Sequence, residues 1–207
     1  MKDLQSYLQK ITPISQQEWD LVSQKFKKED YKKDDFFLKE GAYCNKVAFV
    51  SKGLFKLYHT TERSERILLF FEENQFLADY YGYLTQTPSI RPIKAVEDSV
   101  VYTIYREHLD FLIANTKAWS NIARIMAERA YILSVQRANR LLHDDPDTRF
   151  LTFMSEHPTL LQRLPQYTIA SYLDMTPETL SRVKKRTMKQ PIRSKSSYQS
   201  IPNLNKK

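Results

Sequence analysis

The feature that most limits how this chain can fold is residues 117–143, a stretch with neither Gly nor Pro. Uninterrupted backbone of that length supports one long helix. Trp119, Ile122, Met126 and Leu133 recur at helical spacing, and Ile125 and Ile132 widen the apolar face. Arg129 and Gln136 interrupt the same seam. The pattern predicts a helix that packs on a partner chain as a two-helix dimer seam, with packing inside its own domain as the alternative. Asp144, Asp145 and Pro146 break it. Pro146 suits the first position of a following helix through Phe150, Leu151, Phe153 and Met154, which His157-Pro158 ends.

The chain ahead of that helix has another texture. Residues 1–28 read as helical: Leu4, Leu8 and Ile11 are three or four apart, and Ser15 with Glu18 forms a capping box before Trp19, Val22 and Phe26. From about residue 30 to 105 short β-rich segments take over, FFLKEG, KVAFVSKG, LFKLYHT, ERILLFF, IKAV and SVVYTIY. Gly41, Gly53, Glu72-Glu73-Asn74, Pro88 and Asp98 separate them. Strands at this spacing predict an antiparallel barrel or sandwich. Parallel βαβ alternation is missing, and three glycines in the whole chain leave no glycine-rich phosphate loop.

Charge is segregated. Residues 163–207 hold ten Lys or Arg against Asp174 and Glu178; residues 1–162 hold 22 bases and 22 acids, so the entire excess of +8 lies in the last fifth of the chain. A neutral body with a basic end suggests a dedicated polyanion-binding module. A single cysteine, Cys44, excludes an internal disulfide and any multi-cysteine zinc or iron–sulfur site, which fits a reducing cytoplasm. The N-terminal segment lacks the apolar core of a signal peptide, and no run reaches the roughly eighteen apolar residues of a membrane span. His59, His108, His143 and His157 are scattered without ligand spacing, and no nucleophile–base arrangement is legible, so neither a metal site nor an enzyme is expected.

The most informative stretch is QYTIASYLDMTPETLSRVKKRTMK, residues 166–189. Thr168 is expected to cap a short helix with Ile169, Ala170, Tyr172 and Leu173; a turn follows at Asp174-Met175. Thr176 then caps a second helix opened by Pro177 and Glu178. Leu180 and Val183 should face inward, leaving Pro177, Glu178, Ser181, Arg182 and Lys185 outward. Two short helices, a tight turn and small Ala170 at their crossing make a helix-turn-helix. Its second helix would enter the major groove, Arg182 pairing with a guanine and Glu178 accepting from a cytosine amino group. Lys184, Lys185, Arg186 and Lys189 would meet phosphates. The alternative is an ordinary helical hairpin with a solvated basic face.

IASYLDMTPETLSRVKK resembles the helix-turn-helix of the Crp/Fnr family, especially its Bacteroidetes-type members. TRFLTFMSEHPTLLQRLP resembles the helix before it, and FLKEGAYCNKVAFVSKGLFKLYH with FLADYYGYLTQTPSIRPIKAVEDSVVYTI resembles the family's cyclic-nucleotide-binding-like β-roll. The match runs in order to about residue 189. The resemblance implies an α+β chain: an N-terminal antiparallel β-roll sensor over residues 1–116, a dimerisation helix over 117–143, and a helix-turn-helix domain over 144–189. Residues 190–207, rich in Ser, Pro and Lys, form a tail expected to be disordered. The implied function is a dimeric, sequence-specific transcription regulator in the cytoplasm. Its partners would be double-stranded DNA, a second copy of itself, RNA polymerase and an unidentified small effector, with no membrane. The family's base-reading positions fall on Pro177, Glu178, Ser181 and Arg182; with Thr168, Thr176, Lys184, Lys185 and Lys189 they make the expected DNA-binding set.

Members that bind cyclic nucleotides carry a Gly-Glu pair for the ribose and an Arg-Ser or Arg-Thr pair for the phosphate. Here the first pair falls on Ala78-Asp79 and the second near Ser89-Ile90, with Arg91 displaced and followed by Pro92. A missing glycine hinders close backbone approach and a missing arginine removes the ion pair, so cyclic AMP is not expected to bind. Ala78, Asp79, Tyr80, Tyr81, Ser89 and Arg91 are the candidate lining of a pocket for another effector, while ordinary core packing is the preferred account of Tyr80, Tyr81 and Tyr83. No cofactor is expected. A second function class stays open, a ligand-binding or protein-interaction module whose hairpin has lost DNA.

Overall fold

The computed structural model describes residues 1–62 and 64–188. The chain divides into two compact units, one over Met1–Met126 and one beginning at Ala127. The expected Lys189 contact and the tail at 190–207 lie outside the described residues.

The first unit opens with helices α1 (Lys2–Ile11) and α2 (Gln16–Ser23). The Ser15 and Glu18 side chains and backbone groups bond reciprocally, forming the capping box that starts α2. Eight strands follow, β1 (Lys27–Tyr31), β2 (Phe36–Leu38), β3 (Lys46–Lys52), β4 (Phe55–Thr60), β5 (Glu65–Phe71), β6 (Phe76–Leu77), β7 (Ile93–Ala95) and β8 (Ser99–Tyr105). They form two four-stranded antiparallel sheets, ordered β1-β8-β3-β6 and β2-β7-β4-β5. Helix α3 (Tyr80–Thr85) interrupts the roll, and α4 (Arg106–Asn115) leads into the long α5 (Lys117–His143).

Period-two alternation explains how the β3/β8 sheet is covered on both sides. Ala48, Val50 and Val101 join Phe37, Phe55, Leu57 and Ile93 in one apolar core. Phe49 and Ile104 point the other way, into a second core with Leu4, Leu8, Phe26, Leu112, Trp119 and Ile122. Two buried faces require an almost continuous apolar run, and KVAFV supplies it.

Every β-rich segment singled out in the sequence contains a strand. Two strands carried no such signal. β1 is KKEDY, an exposed edge strand paired only with β8, and its charges suit an edge that must not recruit further strands. β6 is two residues long. The helical reading also overran: α2 ends at Ser23, so Phe26 is a buried residue beyond it.

The seam assigned to α5 fails in its N-terminal part, while its Leu133 is exposed. Trp119, Ile122 and Ile125 are buried in the first unit's own core. A different stripe is exposed farther along: Tyr131, Val135, Ala138 and Leu142, spaced four, three and four apart.

In the second unit, α6 (Pro146–Glu156) has Asp145 as its N-cap, accepting from the Thr148 N–H, and Pro146 at its start. That hydrogen bond and the neighbouring Arg149 charge hold the Asp145 carboxyl below its ordinary value. Helices α7 (Leu160–Arg163), α8 (Gln166–Tyr172) and α9 (Pro177–Thr187) complete the unit. Among the described residues no helix is long and apolar enough to cross a membrane.

Candidate nucleic-acid interface

Helices α8 and α9 are joined by a turn whose Asp174 takes a left-handed φ of 53°, a conformation Asp tolerates better than most residues. The Met175 N–H donates to the Ala170 carbonyl across the turn, and Ala170 itself is buried. Leu173, Leu180 and Val183 are buried as well, with Phe150 and Phe153 of α6 completing the small core. Burying Leu180 and Val183 is worth about 1.5–3 kcal/mol each, ample to fix which face of α9 looks outward.

That outward face carries the expected residues. Thr176 caps α9 through the Thr179 N–H, and Pro177 occupies its first turn. Pro177, Glu178, Arg182 and Lys185 are exposed, while Ser181 and Lys184 are half-buried at its margin. The Glu178 carboxyl is held below its usual range by backbone N–H donation at the helix start and by the Thr176 hydroxyl, so it stays an acceptor at neutral pH. Arg182 makes a 3.3 Å bond to the Thr179 hydroxyl and is otherwise outward.

Two residues stand elsewhere than expected. Thr168 neither caps α8 nor reaches the surface. Pro165 is the N-cap, so the helix begins earlier and Thr168 is an interior, buried position. Arg186 is committed to Asp147 of α6, its Nε 2.7 Å from one carboxylate oxygen and its terminal nitrogen on the other. This pair ties α9 to α6, with the Arg186 side chain still 55% exposed.

In the first unit the candidate effector residues come together in a closed arrangement. Asp79 is buried, and its two carboxylate oxygens are both engaged. One lies 2.8 Å from the Arg91 guanidinium and the other accepts from the Ser89 hydroxyl at 2.6 Å. The Arg91 N–H donates to the Ser89 oxygen, and the guanidinium stacks on the Tyr81 ring, 4.8 Å from its centroid. Gly82 is required here, because a Cβ would come within 2.6 Å of the Asp79 carboxylate. Ala78 is half-buried; Tyr83 packs in the core, whereas Tyr80 and Tyr81 are exposed at 37% and 62%.

The cyclic nucleotide-binding domain family matches residues 28–116. No curated protein matches the chain. Among solved structures, FixK2 from Bradyrhizobium japonicum is similar with a TM-score of 0.70 at 18% identity, over 80% of this chain and 85% of that one. A CooA variant from Carboxydothermus hydrogenoformans gives 0.66 at 18% identity, over 81% and 78%. A protein of Eubacterium rectale placed in the crp/fnr family of transcriptional regulators gives 0.63 at 16% identity, over 84% of each chain. Residues 28–116 thus match the cyclic nucleotide-binding domain family, and the chain shares the fold of these solved structures.

The two helices and the turn at residues 166–187 were legible from local sequence. The Asp79–Arg91 pair was not. Arg91 lies out of register with the family's pair, so position in sequence alone does not mark it as the cationic partner of Asp79. The backbone at Ser89 is pinned by hydrogen bonds to Gly41 and Ala42, and Arg91 is thereby carried onto the carboxylate. The Arg186–Asp147 tie was missed too, since its partners are 39 residues apart and neither sits in a motif.

Proposed function

We propose that the chain is a sequence-specific, DNA-binding transcription regulator of the Crp/Fnr type, acting as a cytoplasmic homodimer and not as an enzyme. One observation carries this reading: the face of α9 with Glu178, Arg182 and Lys185 is exposed, while the opposite face is locked down by Leu180 and Val183. Groove entry needs such a helix, with its N-terminal turn open and its register fixed.

The Tyr131–Val135–Ala138–Leu142 stripe of α5 supports the homodimer. Its four-three-four spacing is that of a coiled-coil seam, and a second copy would bury it isologously. The β-roll then serves as a sensor for an effector other than cyclic AMP. Asp79 already engages Arg91 and Ser89, so a cyclic phosphate would have to displace a buried, hydrogen-bonded carboxylate. RNA polymerase is the remaining proposed partner.

Titrating fluorescent duplex DNA of random sequence at two salt concentrations tests the core of the reading. The regulator must bind with an affinity that falls steeply as salt rises, since Lys and Arg release counterions from phosphates. Binding that is absent at low salt would leave the chain an interaction module without DNA.

A further inference from the structure

The last turns of α5 belong to the second unit, and only Asp144 and Asp145 separate α5 from α6. Arginines tie this junction to three pieces of the helical unit. Arg140 of α5 donates through both terminal nitrogens to the two carboxylate oxygens of Glu156, the last residue of α6. Arg137, about one turn earlier, stacks on the Tyr172 ring of α8 at 4.3 Å and donates to the Tyr172 carbonyl at 3.1 Å. That ring lies against Phe153 of α6, with 5.6 Å between centroids. Arg149 of α6 donates to the Asp144 carbonyl at 3.2 Å and to the Asp174 carbonyl, in the turn before α9, at 3.5 Å.

A two-residue connection does not by itself fix the angle between two helices, because each residue keeps two soft dihedrals. The arginines supply what the connection lacks. The Arg140–Glu156 fork is planar and two-pronged, so it restrains direction as well as distance. It is also sheltered, its side chains 20% and 40% exposed, which sets it apart from an ordinary surface pair. Arg137 holds a second point of α5, and holds it to α8 rather than to α6. Two restraints at different points along one helix, running to different elements, stop it from pivoting.

We infer that Arg140 with Glu156, and Arg137 with Tyr172, are positioning residues that select the separation of the two half-sites on DNA. The inference rests on the regulator reading above, in which the α5 seam joins two copies and α9 enters the groove. In such a dimer, whatever fixes α9 against α5 also fixes the distance between the two α9 helices, and that distance sets the half-site spacing. Neither arginine has to touch DNA. The face of α9 would choose the bases, and the junction would choose how far apart they lie.

Arg140→Met keeps the side-chain stem and removes the donors to Glu156. Duplexes that the wild type selects from a random pool should carry half-sites at one separation. Those selected by Arg140→Met should carry the same half-site sequence at two or more separations. A variant pool that keeps the single separation, or loses the half-site sequence itself, overturns the inference. Glu156→Ala breaks the same pair from the other side and decides the matter if the first variant does not fold. A second readout needs no DNA. Spin labels on Ser134→Cys in α5 and Lys185→Cys in α9, both exposed positions, report one intrachain distance when labelled chains are diluted in unlabelled ones; the native Cys44 is buried. The distance distribution should widen at least twofold with Arg140→Met, and an unchanged width overturns the inference. A wild type that selects no DNA, yet shows this widening, would sink the regulator reading while the Arg140 restraint stands.

Discussion

Arg182 and Arg186 lie one helical turn apart on α9, and their surroundings give them different work. Both are exposed, but Arg182 sits beside the first turn whereas Arg186 pairs with Asp147 of α6. Replacing Arg182 with Ala should cost about 1–3 kcal/mol on the best DNA site and relax preference at one base pair, read by competition titrations with single-base variants. A uniform loss over all sequences would instead make it a phosphate contact. At Asp79 the prediction concerns absence. Calorimetry with cyclic AMP should show no binding at micromolar concentrations, because Asp79 already supplies the anion that Arg91 and Ser89 engage. Micromolar binding would mean that the carboxylate is readily displaced.

At the scale of elements, what was legible followed local physics. The caps of α2, α6 and α9 were readable because capping chemistry acts within three residues, as Ser15, Asp145 and Thr176 show. The limits of α5 were readable from the run without Gly or Pro and the Asp-Asp-Pro stop. Its packing was not, because periodicity reports that a face is apolar and not what covers it. Trp119, Ile122 and Ile125 turned inward to the first unit, and the exposed stripe at Tyr131–Leu142 escaped notice because Tyr and Ala dilute it. β1 hid behind charged side chains that an edge strand can keep in water. The exposed stripe yields a direct expectation. Placing like charges in the seam with Val135→Glu should shift the chain from dimer to monomer in sedimentation equilibrium, with the helical circular dichroism retained. An unchanged mass would remove α5 from the interface.

The chain carries a β-roll in which Asp79 engages Arg91 and Ser89, and a helical unit in which one face of α9 is exposed. The family domain matched at residues 28–116 covers the roll and not the helix-turn-helix, so the DNA reading stands on the geometry of α8 and α9. If two such helices act together about a twofold axis, they must meet successive major grooves on one side of a duplex. Selection of bound duplexes from a fully random pool, followed by sequencing, tests this most directly. The account predicts enrichment of an inverted repeat whose half-sites are centred about one helical turn, roughly 34 Å, apart. A pool that emerges without any enriched motif would contradict it.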